Sequence, residues 1–244
     1  TISTANRGVA DDGTAAVMNN AGTFTKTGGG TSPISVKFNN TGTVDVQAGT
    51  LNLSGGGVDT GATYTTTTGN GILQFGGGTR TLNNTSQITA ANVTFSGSQT
   101  TTVSGTHNVA GTTTVSGGTA TLTGTLTGLG NALVITGGTL SIGSSTASVA
   151  TFTQSGGELT GSAVVTVTGP TVGVVTASNF SGGTQSGSGT TIAQHGATFS
   201  GNSGLDGGRT LQLNGASTTS GTSVGISLNA TNPRMLKTLG RWCG

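Results

Sequence analysis

Short phrases of alternating apolar and polar residues, each broken by a Gly-Thr or Gly-Gly-Thr corner, recur along this chain at intervals of roughly twenty residues. They stand at Gly42 to Gly57, at Gly111 to Gly124, at Asn131 to Gly143 and at Ala150 to Gly161, with a weaker copy at Gly207 to Gly215. Each phrase holds two runs of three to five residues, such as Val44-Asp-Val46 and Leu51-Asn-Leu53, which are too short to bury a core alone. A recurring unit that cannot fold alone is stabilised by stacking on its own copies, so that each strand pairs with the equivalent strand one coil away and alternate side chains fill a shared interior.

Composition supports strands. Gly (47 residues) and the still more numerous Thr disfavour helix, and no stretch carries apolar residues at helical spacing. Thr and Val suit a pleated surface. A β-sandwich would want longer strands and a larger aromatic core than seven Phe, one Tyr and one Trp provide. The expectation is therefore all-β: a right-handed, single-stranded parallel β-helix of roughly twelve coils, on the order of 55 Å long. It covers residues 1–230, and residues 231–244 form a non-repeat tail or cap.

Charge is scarce. From residue 81 to residue 205 the single charged side chain is Glu158. The formal net charge of +2 owes much to Arg234, Lys237 and Arg241 in the tail, so the dense basic surface of a nucleic-acid binder is missing. No run of about 18 apolar residues is present, so no helix is expected to span a membrane. Neither a basic n-region nor an apolar h-region follows Thr1. Cys243 stands alone, which excludes an internal disulfide framework.

Catalysis needs carboxylates, imidazoles, thiolates or cations close together. The carboxylates are Asp11, Asp12, Asp45, Asp59, Glu158 and Asp206. Asp11-Asp12 before Gly13 could seat a hard cation but reads first as a solvated turn. Asp45 and Asp59, with Lys37 upstream, are the only conceivable carboxylate pair for glycoside chemistry. Asp45 alternates with Val44 and Val46 and is expected to face solvent, and nothing in the sequence forces the two together. His107 and His195 are expected to be solvent-facing residues of strands or turns without a second metal ligand nearby. No catalytic, cofactor-binding or metal-ligating residue is assigned.

Two polar patterns remain. Asn19-Asn20, Asn39-Asn40 and Asn83-Asn84 fall where strands give way to corners, and suit either a ladder along the stack or simple turns. Thr-x-Thr pairs (Thr112/Thr114, Thr119/Thr121, Thr123/Thr125, Thr151/Thr153, Thr166/Thr168) could order water and bind ice if they recurred at one fixed position in each coil. Along the linear sequence their spacing wanders, which argues against it.

The phrases Gly-Thr-Ala-Ala-Val-Met-Asn-Asn-Ala-Gly-Thr-Phe-Thr-Lys-Thr-Gly-Gly-Gly, from Gly13 onward, and Phe38-Asn-Asn-Thr-Gly-Thr-Val-Asp-Val-Gln-Ala-Gly-Thr-Leu-Asn-Leu-Ser-Gly-Gly-Gly57 resemble the repeats of large secreted bacterial β-helix proteins. These include autotransporter passenger regions and filamentous-haemagglutinin-like adhesins. Weaker phrases continue to about residue 229. The resemblance implies export and a non-enzymatic structural or adhesive role at the cell surface, and it carries over no catalytic residue or cofactor. Candidate partners are host or matrix glycans or proteins, and further copies of the chain stacked on open coil ends as a filament. A carbohydrate-binding or carbohydrate-active β-helix is the other alternative.

Overall fold

The computed structural model describes residues 1–244 except 5, 11, 67–70, 170–176, 222–223, 229–236, 239–241 and 244. The described residues contain strands and turns and no helix. They build a parallel β-solenoid of about ten turns, each contributing one short strand to each of three faces. In the first turn these strands are Val17–Asn20, Thr23–Lys26 and Thr31–Ile34. Lys37–Asn40, Thr43–Val46 and Gly49–Leu53 lie parallel to them, one on each face.

The advance per turn explains why there are about ten turns where the repeat spacing suggested twelve. It is twenty residues where the phrases are regular, as in Val17↔Lys37, Thr43↔Thr63 and Thr113↔Leu133. It widens where a corner is longer: Gly57 pairs with Arg80, Thr63 with Gln87 and Phe152 with Ser178. Longer corners spend residues without adding a strand.

In the middle of the rod the strands lengthen to Thr106–Leu122, Ala132–Ile142 and Thr151–Gly161, because the chain rounds the corner from third face to first without leaving the ladder. Each of these corners is a Gly-Gly pair. Gly138 has φ +67° and a Cβ there would stand 2.5 Å from the carbonyl carbon of Gly117 in the preceding turn, so both the backbone conformation and the close approach exclude a side chain. Gly118 and Gly157 repeat the geometry one turn away on either side.

Side chains of one parity stack inside. One rank on the third face runs Ile34, Leu53, Phe75, Phe95, Val115, Ile135, Gln154, Phe180 and Phe199 in unbroken register. All seven Phe are buried, together with Tyr64. Phe75 stacks on Phe95 with ring centres 5.5 Å apart, and Phe180 sits 5.3 Å from Phe152 and 5.6 Å from Phe199. The scarce aromatics are thus concentrated in the core, where each fully buried large side chain contributes about 1.5–3 kcal/mol.

The asparagines take both roles open to them, as ladder and as turn cap. Asn39 Nδ2 donates to Asn19 Oδ1 (3.0 Å) and Asn20 Nδ2 to Asn40 Oδ1 (2.8 Å), which makes ladders across the first two turns. Asn83 caps its own turn, its Oδ1 accepting from the Thr85 N–H and the Ser86 hydroxyl, and the same oxygen accepts from the Gly61 N–H one turn back. In the tail, Lys237–Thr238 and Trp242–Cys243 pair in parallel with Thr210–Leu213 and Ser217–Thr219. Arg234 and Arg241 lie outside the described residues.

Candidate functional site

The densest polar chemistry lies inside the rod. Asp59, Tyr64 and Arg80 are all fully buried between the third and fourth turns. Arg80 Nη1 is 2.9 and 2.8 Å from the two carboxylate oxygens of Asp59, and its Nη2 donates to the Gly56 carbonyl at 2.6 Å. The Tyr64 hydroxyl donates to Asp59 Oδ2 at 2.9 Å, and the Asn40 N–H donates to Oδ1 at 3.0 Å. The Phe38 and Phe75 rings flank the guanidinium, each 5.8 Å from its carbon. Gly57 leaves the room for it: a Cβ there would meet Arg80 Nη2 at 3.1 Å and the Phe38 carbonyl oxygen at 1.9 Å.

Burial pushes the Asp59 carboxyl up, while Arg80, Tyr64 and the Asn40 N–H favour the charged form. Burial likewise pushes the Tyr64 hydroxyl up. With all three groups sealed from solvent, this cluster joins two turns of the stack and offers a substrate no access.

The Asp45/Asp59 pairing weighed from the sequence is not assembled. Asp45 lies half-exposed on the outside of the second face, as its alternation with Val44 and Val46 predicted, and accepts from Thr65 Oγ1 and Gln47 Nε2. Asp59 points inward from the first face, and Lys37 is exposed on that face's outer side. Of the acidic dipeptide, Asp11 lies outside the described residues. Asp12 accepts from the backbone and hydroxyl of Thr14, which hold its carboxyl below the usual range. Glu158 accepts from the Ser186 hydroxyl at 2.5 Å, and Asp206 from the Gly207 N–H at 2.6 Å. Among the described residues, no three of His, Cys, Asp and Glu gather as a metal site.

His195 is exposed in a turn, as anticipated. His107 is not, and the expectation of a solvent-facing ring is corrected. It is buried, in register between Ile88 and Leu126, with its ring 6.1 Å from Phe95. Neither ring nitrogen has a hydrogen-bond partner, and burial lowers its pKa to about 4. The sequence carried the signal, since His107 shares strand parity with the apolar Val109.

Two further cations that sequence reasoning left unassigned also turn inward. Arg209 donates from Nε and Nη2 to Thr191 Oγ1 (3.3 and 3.0 Å), and the Thr191 hydroxyl donates to Gln185 Oε1 at 2.7 Å. Without a carboxylate beside it, burial pulls Arg209 down to about 10. Lys26 Nζ donates to the carbonyls of Gly28, Gly29 and Ala48. Both lie in strand parity with apolar neighbours, Phe24 for Lys26 and Leu211 for Arg209. Lys26, Asp59, Arg80 and Arg209 are thus internal, whereas Arg7, Asp12, Lys37, Asp45, Glu158 and Asp206 are exposed or half-exposed.

No protein-family model, no curated protein and no solved structure matches this chain.

Proposed function

We propose that the chain is a non-enzymatic rod, structural or adhesive, of an exported bacterial surface protein. The observation that carries this reading is the disposition of the reactive groups. Asp59, Tyr64, Arg80, His107 and Arg209 are buried in the stack, where they join neighbouring turns or fill the core, while the outer rows are mainly Thr, Ser and Asn. Such a solenoid holds its shape through nearest-neighbour contacts repeated along its length and presents long, regular faces. Those are the properties of a spacer or a binding platform.

The reading is tested by incubating the purified chain with a panel of polysaccharides while following reducing ends, and by probing a glycan array. Retention on surfaces or glycans without new reducing ends is the expected result. Cleavage that disappears in Asp45→Ala overturns the reading in favour of a carbohydrate-active enzyme.

A further inference from the structure

The register of the coils spreads the Thr-x-Thr pairs over the faces, with Thr112/Thr114 and Thr151/Thr153 on the third, but on the outer side of the first face it aligns Thr119/Thr121 with Thr and Ser of the neighbouring coils. One rank runs Thr81, Thr102, Thr121, Ser141 and Thr160, each in register with the next. A second rank, two residues away along each strand, runs Thr100, Thr119, Thr139, Glu158 and Thr184. Within these two ranks the variable corner lengths drop out, and Thr and Ser stand at equivalent positions from coil to coil. The condition for an ordered array, one pair at a fixed position in each coil, is met from Thr100/Thr102 through Thr119/Thr121 to Thr139/Ser141.

We propose that this face binds ice. Backbone geometry sets its two repeats, about 4.8 Å from coil to coil and about 6.6 Å from one outward residue to the next along a strand. Both fall near the oxygen repeats of an ice prism face. The array is neutral across the three turns from Thr100 to Ser141, so no ionic hydration shell disrupts ordered water over it. Among the described residues, none of the hydroxyls of Thr102, Thr119, Thr121, Thr139 and Ser141 bonds another protein group, leaving them to water.

Two features keep the array flat and stiff. Thr has a restricted χ1, so its methyl and hydroxyl are held rather than averaged. Behind the array, Ala120, Leu122, Leu140 and Ile142 are buried in the core. The Gly117-Gly118 and Gly137-Gly138 corners that lead into these strands carry no side chain to overhang the face. Methyls resting in the hollows of the lattice while hydroxyls take lattice positions is a mode of recognition that needs repetition more than strength at any one residue. Glu158 marks the far edge, where its carboxylate is engaged by Ser186.

The test uses the whole chain, followed by freezing-point hysteresis, ice-crystal shaping and partition into a growing ice hemisphere. The chain is expected to shape crystals and enter ice. Thr121→Lys and, independently, Ser141→Lys are expected to abolish both, while Thr89→Lys, on the exposed outer side of the second face, leaves them intact. Circular dichroism establishes that each variant keeps the β-solenoid. Absence of shaping and hysteresis in the unaltered chain overturns the proposal, and so does full activity in folded Thr121→Lys and Ser141→Lys.

Discussion

Replacing Asp59 by Asn keeps the shape of the side chain and removes the charge that compensates Arg80 inside the rod. The guanidinium is then left in a site with 1% exposure, between two aromatic rings, with the Gly56 carbonyl as its remaining strong acceptor. Stranding one partner of a buried ion pair costs about 3–5 kcal/mol. The amide oxygen can still accept from either Tyr64 or the Asn40 N–H, so a further loss of about 1–3 kcal/mol for the donor left over overlaps with the first and is not additive to it. Arg80→Met strands the carboxylate instead, and a loss of similar size is expected. The double variant Asp59→Leu/Arg80→Met removes both charges. It should recover much of either single loss, because apolar replacement of a buried pair is often close to neutral. Urea denaturation by circular dichroism measures the global effect. Since each turn of a solenoid contacts only its neighbours, hydrogen exchange of peptides spanning 57–65 and 80–82 locates it. Single losses below about 1 kcal/mol, or a double variant equal to the sum of the singles, would refute the view that this pair locks the third turn to the fourth.

The two remaining predictions concern a buried ring and a corner. Because His107 titrates at about 4 when folded against 6.5 in an unperturbed state, the unfolded chain takes up a proton over that interval that the folded chain refuses. Stability is therefore expected to fall by roughly 3 kcal/mol as the pH drops from 6.5 to 4, and to change little further from this group below that. Urea midpoints across this range should show the slope in the native chain and a reduced slope in His107→Leu; identical slopes in the two would remove His107 as the cause. Gly138→Ala forces a side chain into a left-handed corner against the backbone of the turn below. A loss of about 2 kcal/mol or more is expected in thermal melts, with faster exchange in Ala132–Ile142, and an unchanged melting temperature would contradict the packing described.

Much of the fold was legible because a stack repeats its own grammar. The Gly-Gly-Thr corners at Gly117-Gly118 and Gly137-Gly138 announced where the chain must turn, and the alternation in Val44-Asp-Val46 placed Asp45 outside. The inward His107, Lys26 and Arg209 were legible from parity alone, but polar residues are read outward by default, and nothing local says that a cation has carbonyls or a hydroxyl waiting in the next turn. Val58 and Asp59 defeat parity reading altogether. Hydrophobicity would put Val58 inside and Asp59 outside, whereas Val58 is 52% exposed and Asp59 is sealed in the core. The order is reversed because Asp59 lies in register with Asn40 and supplies the counter-charge to Arg80, whose guanidinium occupies the space that Gly57 leaves open.

The sequence by itself determined the architecture: short strands too small to stand alone, corners that only Gly tolerates, and a repeat near twenty residues admit little besides a stack of coils. Register was decided by the tertiary structure. Corner lengths vary from turn to turn, so positions that drift along the chain, such as Thr81, Thr102, Thr121 and Ser141, become neighbours only when backbone hydrogen bonds between coils align their strands. The same alignment brings Asp59 to Arg80. Parallel pairing fixes distance across the stack, a relation between coils that no single phrase of the sequence contains.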